Sequence, residues 1–172
     1  VVGNLNNPKI DVYLTNNNVL VKSDYINGIK NLTGGAGNDT LTGKDGASSI
    51  LKGGAGNDTF YMSTGFDNSG TIQGDLLFGE SGDDSFIFSA NLDSGKNAKI
   101  DGGADTNSVD YSSFSTKVNV RLRDTNIEGV VRVGELGDTH HTLKNIQNVK
   151  GTVNDDTIEG NSQNNILDGN GG

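Results

Sequence analysis

Two nine-residue stretches, one starting nineteen positions after the other, are almost the same: Gly34-Gly-Ala-Gly-Asn-Asp-Thr-Leu-Thr42 and Gly53-Gly-Ala-Gly-Asn-Asp-Thr-Phe-Tyr61. Tandem self-similarity constrains a chain more than any single motif. Each copy is one small unit that hides its apolar residue only by stacking on its neighbours. Weaker copies follow the same frame. Gly43-Lys-Asp-Gly-Ala-Ser-Ser-Ile-Leu51 lies between the first two, with Ser48 at the sixth position and Lys52 as an extra residue after it. Gly79-Glu-Ser-Gly-Asp-Asp-Ser-Phe-Ile87 keeps the sixth-position aspartate, and Gly102-Gly-Ala-Asp-Thr-Asn-Ser-Val-Asp110 has Asn107 there instead. Gly151-Thr-Val-Asn-Asp-Asp-Thr-Ile-Glu159 runs straight into Gly160-Asn-Ser-Gln-Asn-Asn-Ile-Leu-Asp168, and Gly169 opens another copy.

Glycines at the first, second and fourth positions permit the positive φ angles of a tight turn. The last three residues of each copy form a short strand whose middle residue faces inward. Those inward residues are predicted to be Leu41, Ile50, Phe60, Phe86, Val109, Ile158 and Leu167. One turn and one strand make half a coil, two copies make a full coil, and stacked coils make two thin sheets. A core so narrow needs few large side chains, which accounts for a hydrophobic fraction of 31% and the absence of tryptophan. Collagen is excluded, because 26 glycines against one proline carry no three-residue period. Wholesale disorder is excluded by apolar clusters such as Lys9-Ile-Asp-Val-Tyr-Leu14 that recur between the glycines. Met62 to Gly74 and Ser89 to Lys99 are polar, lack helical periodicity and are expected to be looped coils.

A net charge of −9 makes cations the natural partner and excludes nucleic acid, which requires a basic face. Anionic membrane is disfavoured on the same ground, and no apolar run is long enough to span a bilayer, so membrane insertion is not expected. Without cysteine there are neither disulfides nor thiolate metal sites. His140 and His141 are adjacent, so their side chains point apart and are assigned no metal or catalytic role. No nucleophile–base pair, zinc motif or phosphate loop is present, and the chain is not expected to be an enzyme.

The nonapeptides resemble the repeat-in-toxin (RTX) family, whose motif is Gly-Gly-x-Gly-x-Asp-x-U-x with U a large apolar residue. The resemblance implies an all-β fold, a right-handed parallel β-roll or β-solenoid with calcium-binding glycine turns and looped coils. It implies several calcium ions, each held between turns one full coil apart by sixth-position aspartates and by backbone carbonyls. On that pattern Asp39 and Asp58 share an ion with carbonyls of Gly34, Ala36, Gly54 and Gly56. Asp58 bridges to a second ion with Asp84, whose turn offers Gly79 and Ser81. Asp105 and Asn107 form a weaker third site, and Asp156, with Gly151 and Val153, pairs with the turn opened by Gly169. Magnesium fits less well, since it demands small octahedral sites and keeps its water. Stacked carboxylates repel, so such a roll should lose stability without its cation.

A longer repeat is superimposed on the short one. Ile26-Asn-Gly-Ile-Lys-Asn-Leu-Thr33 and Leu143-Lys-Asn-Ile-Gln-Asn-Val-Lys150 precede equivalent turns, and Lys9–Leu14 matches Lys117–Leu122. Residues 1–116 are therefore read as one large repeat and 117–172 as the start of a second, with a longer loop within Asp124–Thr142. Large repeats suit a structural or adhesive segment of a secreted or cell-surface bacterial protein, such as a surface layer, fibre or adhesin. The alternatives are a secretion and folding module of an RTX toxin or hydrolase, and a domain that binds a glycan, peptide or cell-surface ligand. Either continuation in a longer array or end-to-end self-association is expected to cover the end coils.

Overall fold

The computed structural model describes residues 2–4, 9–14, 19–25, 30–43, 48–62, 74–89, 97–134 and 139–172, which include no helix. Most of both expected looped coils and residues 44–47 of the second glycine turn lie outside the described residues. The strands are β1 (Val2–Asn4), β2 (Lys9–Leu14), β3 (Val19–Tyr25), β4 (Asn31–Ala36), β5 (Thr40–Thr42), β6 (Ile50–Ala55), β7 (Thr59–Tyr61), β8 (Leu76–Ser81), β9 (Ser85–Ile87), β10 (Lys99–Asp101), β11 (Ser108–Asp110), β12 (Val118–Arg121), β13 (Gly129–Val133), β14 (Thr139–Lys144), β15 (Asn148–Lys150), β16 (Thr157–Glu159) and β17 (Leu167–Asp168).

From β4 to β11 the chain alternates between two sheets, and each strand pairs in parallel with the strand one full coil later. The repeat dictates this. A glycine turn reverses the chain, three residues cross one face, and the next turn reverses it again. This is a parallel β-roll. Its core is two facing columns of middle residues. Leu41, Phe60, Phe86, Val109 and Val149 line one sheet, and Leu32, Leu51, Leu77, Ile100 and Leu143 line the other. In-register stacking puts like on like, and the rings of Phe60 and Phe86 lie 4.7 Å apart at 13°.

The inward set differs from expectation in three places. Leu51, not Ile50, is fully buried. The strand begins one residue later than the repeat predicts, so Ser49 rather than Ser48 precedes it and Lys52 becomes its third residue, opposite Phe78. Ile158 is only partly buried, and Leu167 is exposed, because the last coil has no described strand over it.

The parallel stack is also interrupted. The residues of the longer loop, Asp124–Thr142, carry β13 and the start of β14, and β12, β13 and β14 form an antiparallel meander inserted in one sheet. The stack then resumes with β14 on β10 and β15 on β11. Phe88, Tyr111, Phe114 and His141 form an aromatic cluster beneath the meander, with Phe88 and Tyr111 stacked at 4.5 Å. His141 is fully buried there and its Nδ1 accepts a hydrogen bond from the Ala98 amide at 3.3 Å.

Candidate metal centre

The turns 34–39, 53–58, 79–84 and 102–107 stack in one column along the same edge of the roll. Only the second and fourth positions take positive φ. These are Gly35 and Gly37, Gly54 and Gly56, Glu80 and Gly82, Gly103 and Asp105. The first-position glycine serves space instead of backbone freedom. A Cβ on Gly53 would collide with the Asp58 carboxylate and crowd the carbonyl of Gly79. The same holds for Gly34 against Asp39 and Gly53, and for Gly79 against Asp84 and Gly102.

The Asn-Asp pair at positions five and six has a physical explanation. Two ladders of side chain to backbone hydrogen bonds run along the column in opposite directions. At position six the amide of the earlier turn donates to the side chain of the later one: Asp39 N to Asp58 Oδ1 and Asp58 N to Asp84 Oδ1, both 2.8 Å, then Asp84 N to Asn107 Oδ1 at 3.0 Å and Asn107 N to Gln147 Oε1 at 2.7 Å. At position five the amide of the later turn donates to the side chain of the earlier one: Asn57 N to Asn38 Oδ1 at 2.8 Å, Asp83 N to Asn57 Oδ1 at 3.0 Å and Thr106 N to Asp83 Oδ1 at 2.8 Å. Turn amides are thus satisfied although they belong to no sheet.

One oxygen of each of the Asp58 and Asp84 carboxylates is committed to this ladder. The other points inward beside the first-position glycine, where it converges with the carbonyl of the next turn. The space a Cβ on Gly34 would fill is approached by Asp39 Oδ2 and Gly53 O, that on Gly53 by Asp58 Oδ2 and Gly79 O, and that on Gly79 by Asp84 Oδ2 and Gly102 O. All three aspartates are buried. No hydrogen-bond donor among the described residues reaches Asp58 Oδ2 or Asp84 Oδ2. A buried carboxylate oxygen facing a carbonyl oxygen with no hydrogen between them is repulsive, and a cation between them turns that repulsion into attraction. The donors are hard oxygens only, the preference of calcium. No group of three or more His, Cys, Asp or Glu suited to holding a metal occurs among the described residues, so backbone carbonyls must complete any shell. When bound, the ion supplies the positive charge that joins one turn to the next.

Burial raises Asp58 and Asp84 to about 6, well above the usual carboxylate range. Glu80 adds to the rise at Asp58, and Asp58, Asp83 and Asp105 add to it at Asp84, against the backbone hydrogen bond from Asp58.

The remaining predicted ligands are placed as follows. The carbonyls of Gly34, Ala36 and Gly56 belong to the stacked turns, whereas that of Gly54 already accepts the Ser81 hydroxyl at 3.2 Å. Ser81 O accepts the Gly56 amide at 2.9 Å and keeps its second lone pair. Asp105 occupies the fourth, glycine-like position at φ 64° and accepts the Gly82 amide at 3.1 Å, away from the inner oxygens. Asn107 turns its Nδ2 to the inner side, donating to Ala104 O at 3.0 Å and Asn145 O at 3.1 Å.

Asp156 lies on the opposite edge, in the turn between β15 and β16, with Gly151 and Val153. Its carboxylate caps its own turn, accepting Thr152 N at 2.5 Å, Thr152 Oγ1 at 2.9 Å and Val118 N at 2.8 Å. The turn opened by Gly169 lies against the Asp156 turn at Asn154, where a Cβ on Gly172 would meet the Asn154 carbonyl.

Sequence reasoning missed the carbonyls of Gly53 and Gly102 as inner oxygens. The regular placement of first-position glycines was the signal for them. Asp75 was missed too. It is buried on the opposite edge and accepts the Ser49 amide at 2.8 Å, but no recognisable nonapeptide precedes it.

Residues 33–68, 69–90 and 148–172, just under half of the chain, match a family model described as RTX calcium-binding nonapeptide repeat (four copies). Repeats of this kind bind calcium ions. No curated protein matches the chain closely enough to count as a relative.

Proposed function

Because this chain carries RTX calcium-binding nonapeptide repeats, we propose that it is a calcium-folded structural or adhesive segment of a large secreted or surface-associated bacterial protein, without catalytic activity of its own. A single observation carries the calcium dependence. At three successive turns a buried carboxylate oxygen and the next turn's carbonyl converge on the space beside a first-position glycine. Such a column is a poor fold where calcium is scarce and a good one where it is plentiful, which favours a chain that folds outside the cell. Repeats of this kind typically occur in secreted proteins. Among the described residues no helix is long and apolar enough to cross a membrane.

A structural role is supported by the in-register stacking of successive coils, in which each strand pairs in parallel with the strand one coil later. Circular dichroism and light scattering in calcium and in chelator test the proposal. Calcium should raise the strand signal and the melting point and promote association. An unchanged spectrum and melting point on chelation would overturn it.

A further inference from the structure

The column of inner oxygens stops at the fourth turn, at the side chain of Asn107. At Gly34, Gly53 and Gly79 the space a Cβ would fill is approached by a carboxylate oxygen and a carbonyl oxygen. At Gly102 the same space is approached by Asn107 Nδ2 and the carbonyl of Asn145. Here the two groups are joined by a hydrogen bond of 3.1 Å, and the second amide hydrogen reaches Ala104 O at 3.0 Å, the third-position carbonyl of its own turn. Asn107 Oδ1 still serves the ladder, accepting Asp84 N at 3.0 Å. The side chain is fully buried and its geometry fixes the amide orientation, since only Nδ2 can donate to two carbonyls.

We propose that the carboxamide of Asn107 is a built-in substitute for a calcium ion. It ties the fourth turn to the next coil with N–H donors where the three turns before it require a cation. The roll is therefore divided at β10. Its first part, the turns at 34, 53 and 79, is set by calcium, and the coils from 102 onward hold without it.

The surroundings of the second part agree. Around this turn, groups are held by side-chain amides and by the Lys144–Asp101 ion pair. Gln147 Oε1 accepts Asn107 N, Asn165 Nδ2 donates to Gln147 O at 2.8 Å, and Asp101 is held by Lys144 Nζ at 2.9 Å and Asn145 Nδ2 at 2.7 Å. The family match also passes over residues 91–147, which include this turn.

The assignment rests on the calcium reading of the first three turns, and the test separates the two. Calcium stoichiometry is measured by titration calorimetry on the whole chain and on Asn107→Asp and Asp84→Asn, with hydrogen exchange and melting followed in chelator. In chelator the wild type should keep protection in β11 and β15 and lose it in β5, β7 and β9. Asn107→Asp should bind one more ion per chain and lose the protection of β11 and β15 in chelator. Asp84→Asn should bind one ion fewer and melt higher than wild type in chelator, because its new amide can bond Ser81 O and Gly102 O as Asn107 bonds Ala104 O and Asn145 O. If Asn107→Asp fails to fold even in calcium, Asp84→Asn decides. A folded Asn107→Asp that gains no ion, or an Asp84→Asn that melts no higher in chelator, overturns the assignment alone. A wild type that binds no calcium overturns the calcium reading with it.

Discussion

Protons and calcium should compete for the same inner oxygens, and the competition can be sized. Asp58 and Asp84 stand near 6 in the metal-free fold, chiefly because they are buried. Calcium needs both as carboxylates. At pH 7.5 each is only a few per cent protonated, whereas at pH 5 each is about nine-tenths protonated. Lowering the pH across that span should weaken binding about ten-fold per carboxylate, or about 100-fold for the two together. At pH 6, where each is half protonated, loading should release about one proton per chain from the pair. Without calcium the sign reverses. A raised carboxylate favours the fold only while protonated. The contribution of these two groups to the metal-free roll should therefore be full below about pH 4 and be lost as pH rises through 6, on the order of 2 kcal/mol per carboxylate after allowance for screening. Calorimetric titration in two buffers of different ionisation enthalpy measures the proton release, and chelated melting curves from pH 4 to 8 measure the reversal. Carboxylates at the ordinary value of 3.8 would change affinity by less than about a fifth between pH 7.5 and 5. An affinity that flat, with no proton release at pH 6, would refute the burial of these groups as the source of the calcium dependence.

Two further outcomes follow from the same geometry. Gly53→Ala places a methyl group against the Asp58 carboxylate and the Gly79 carbonyl, and should abolish one calcium site and lower stability in calcium by about 2–4 kcal/mol, read by titration and melting. Asp58→Ala should lower the number of calcium ions bound, whereas Asp156→Ala should leave that number unchanged and cost about 1–3 kcal/mol through loss of the turn cap on Thr152 and Val118, seen equally with and without calcium.

The repeating frame was legible because its physics is local. A glycine pair, an aspartate and an apolar residue at fixed spacing specify a turn and a three-residue strand wherever they occur, and Leu41, Phe60, Phe86 and Val109 face inward as that frame requires. The frame failed at Ile50, where the strand begins one residue later than the frame requires and a single-residue slip exchanges the inner and outer faces. It also had no means to find Asp75, whose turn carries no nonapeptide. The β12–β13–β14 meander was legible only as extra length, since antiparallel pairing depends on partners distant along the chain.

The sequence by itself determined that glycine turns bearing aspartates stack in register, because each turn is built from its own nine residues. It could not decide which sixth-position side chain faces a cation, which caps its own turn and which replaces the ion. Asp84, Asp156 and Asn107 occupy the same place in the nonapeptide. The inner oxygen of Asp84 faces the Gly102 carbonyl with no donor among the described residues, Asp156 meets three donors, and the Asn107 amide nitrogen meets two acceptors. The Gly102 and Asn145 carbonyls and the Val118 amide come from other coils, and only the stacking of coils brings them there.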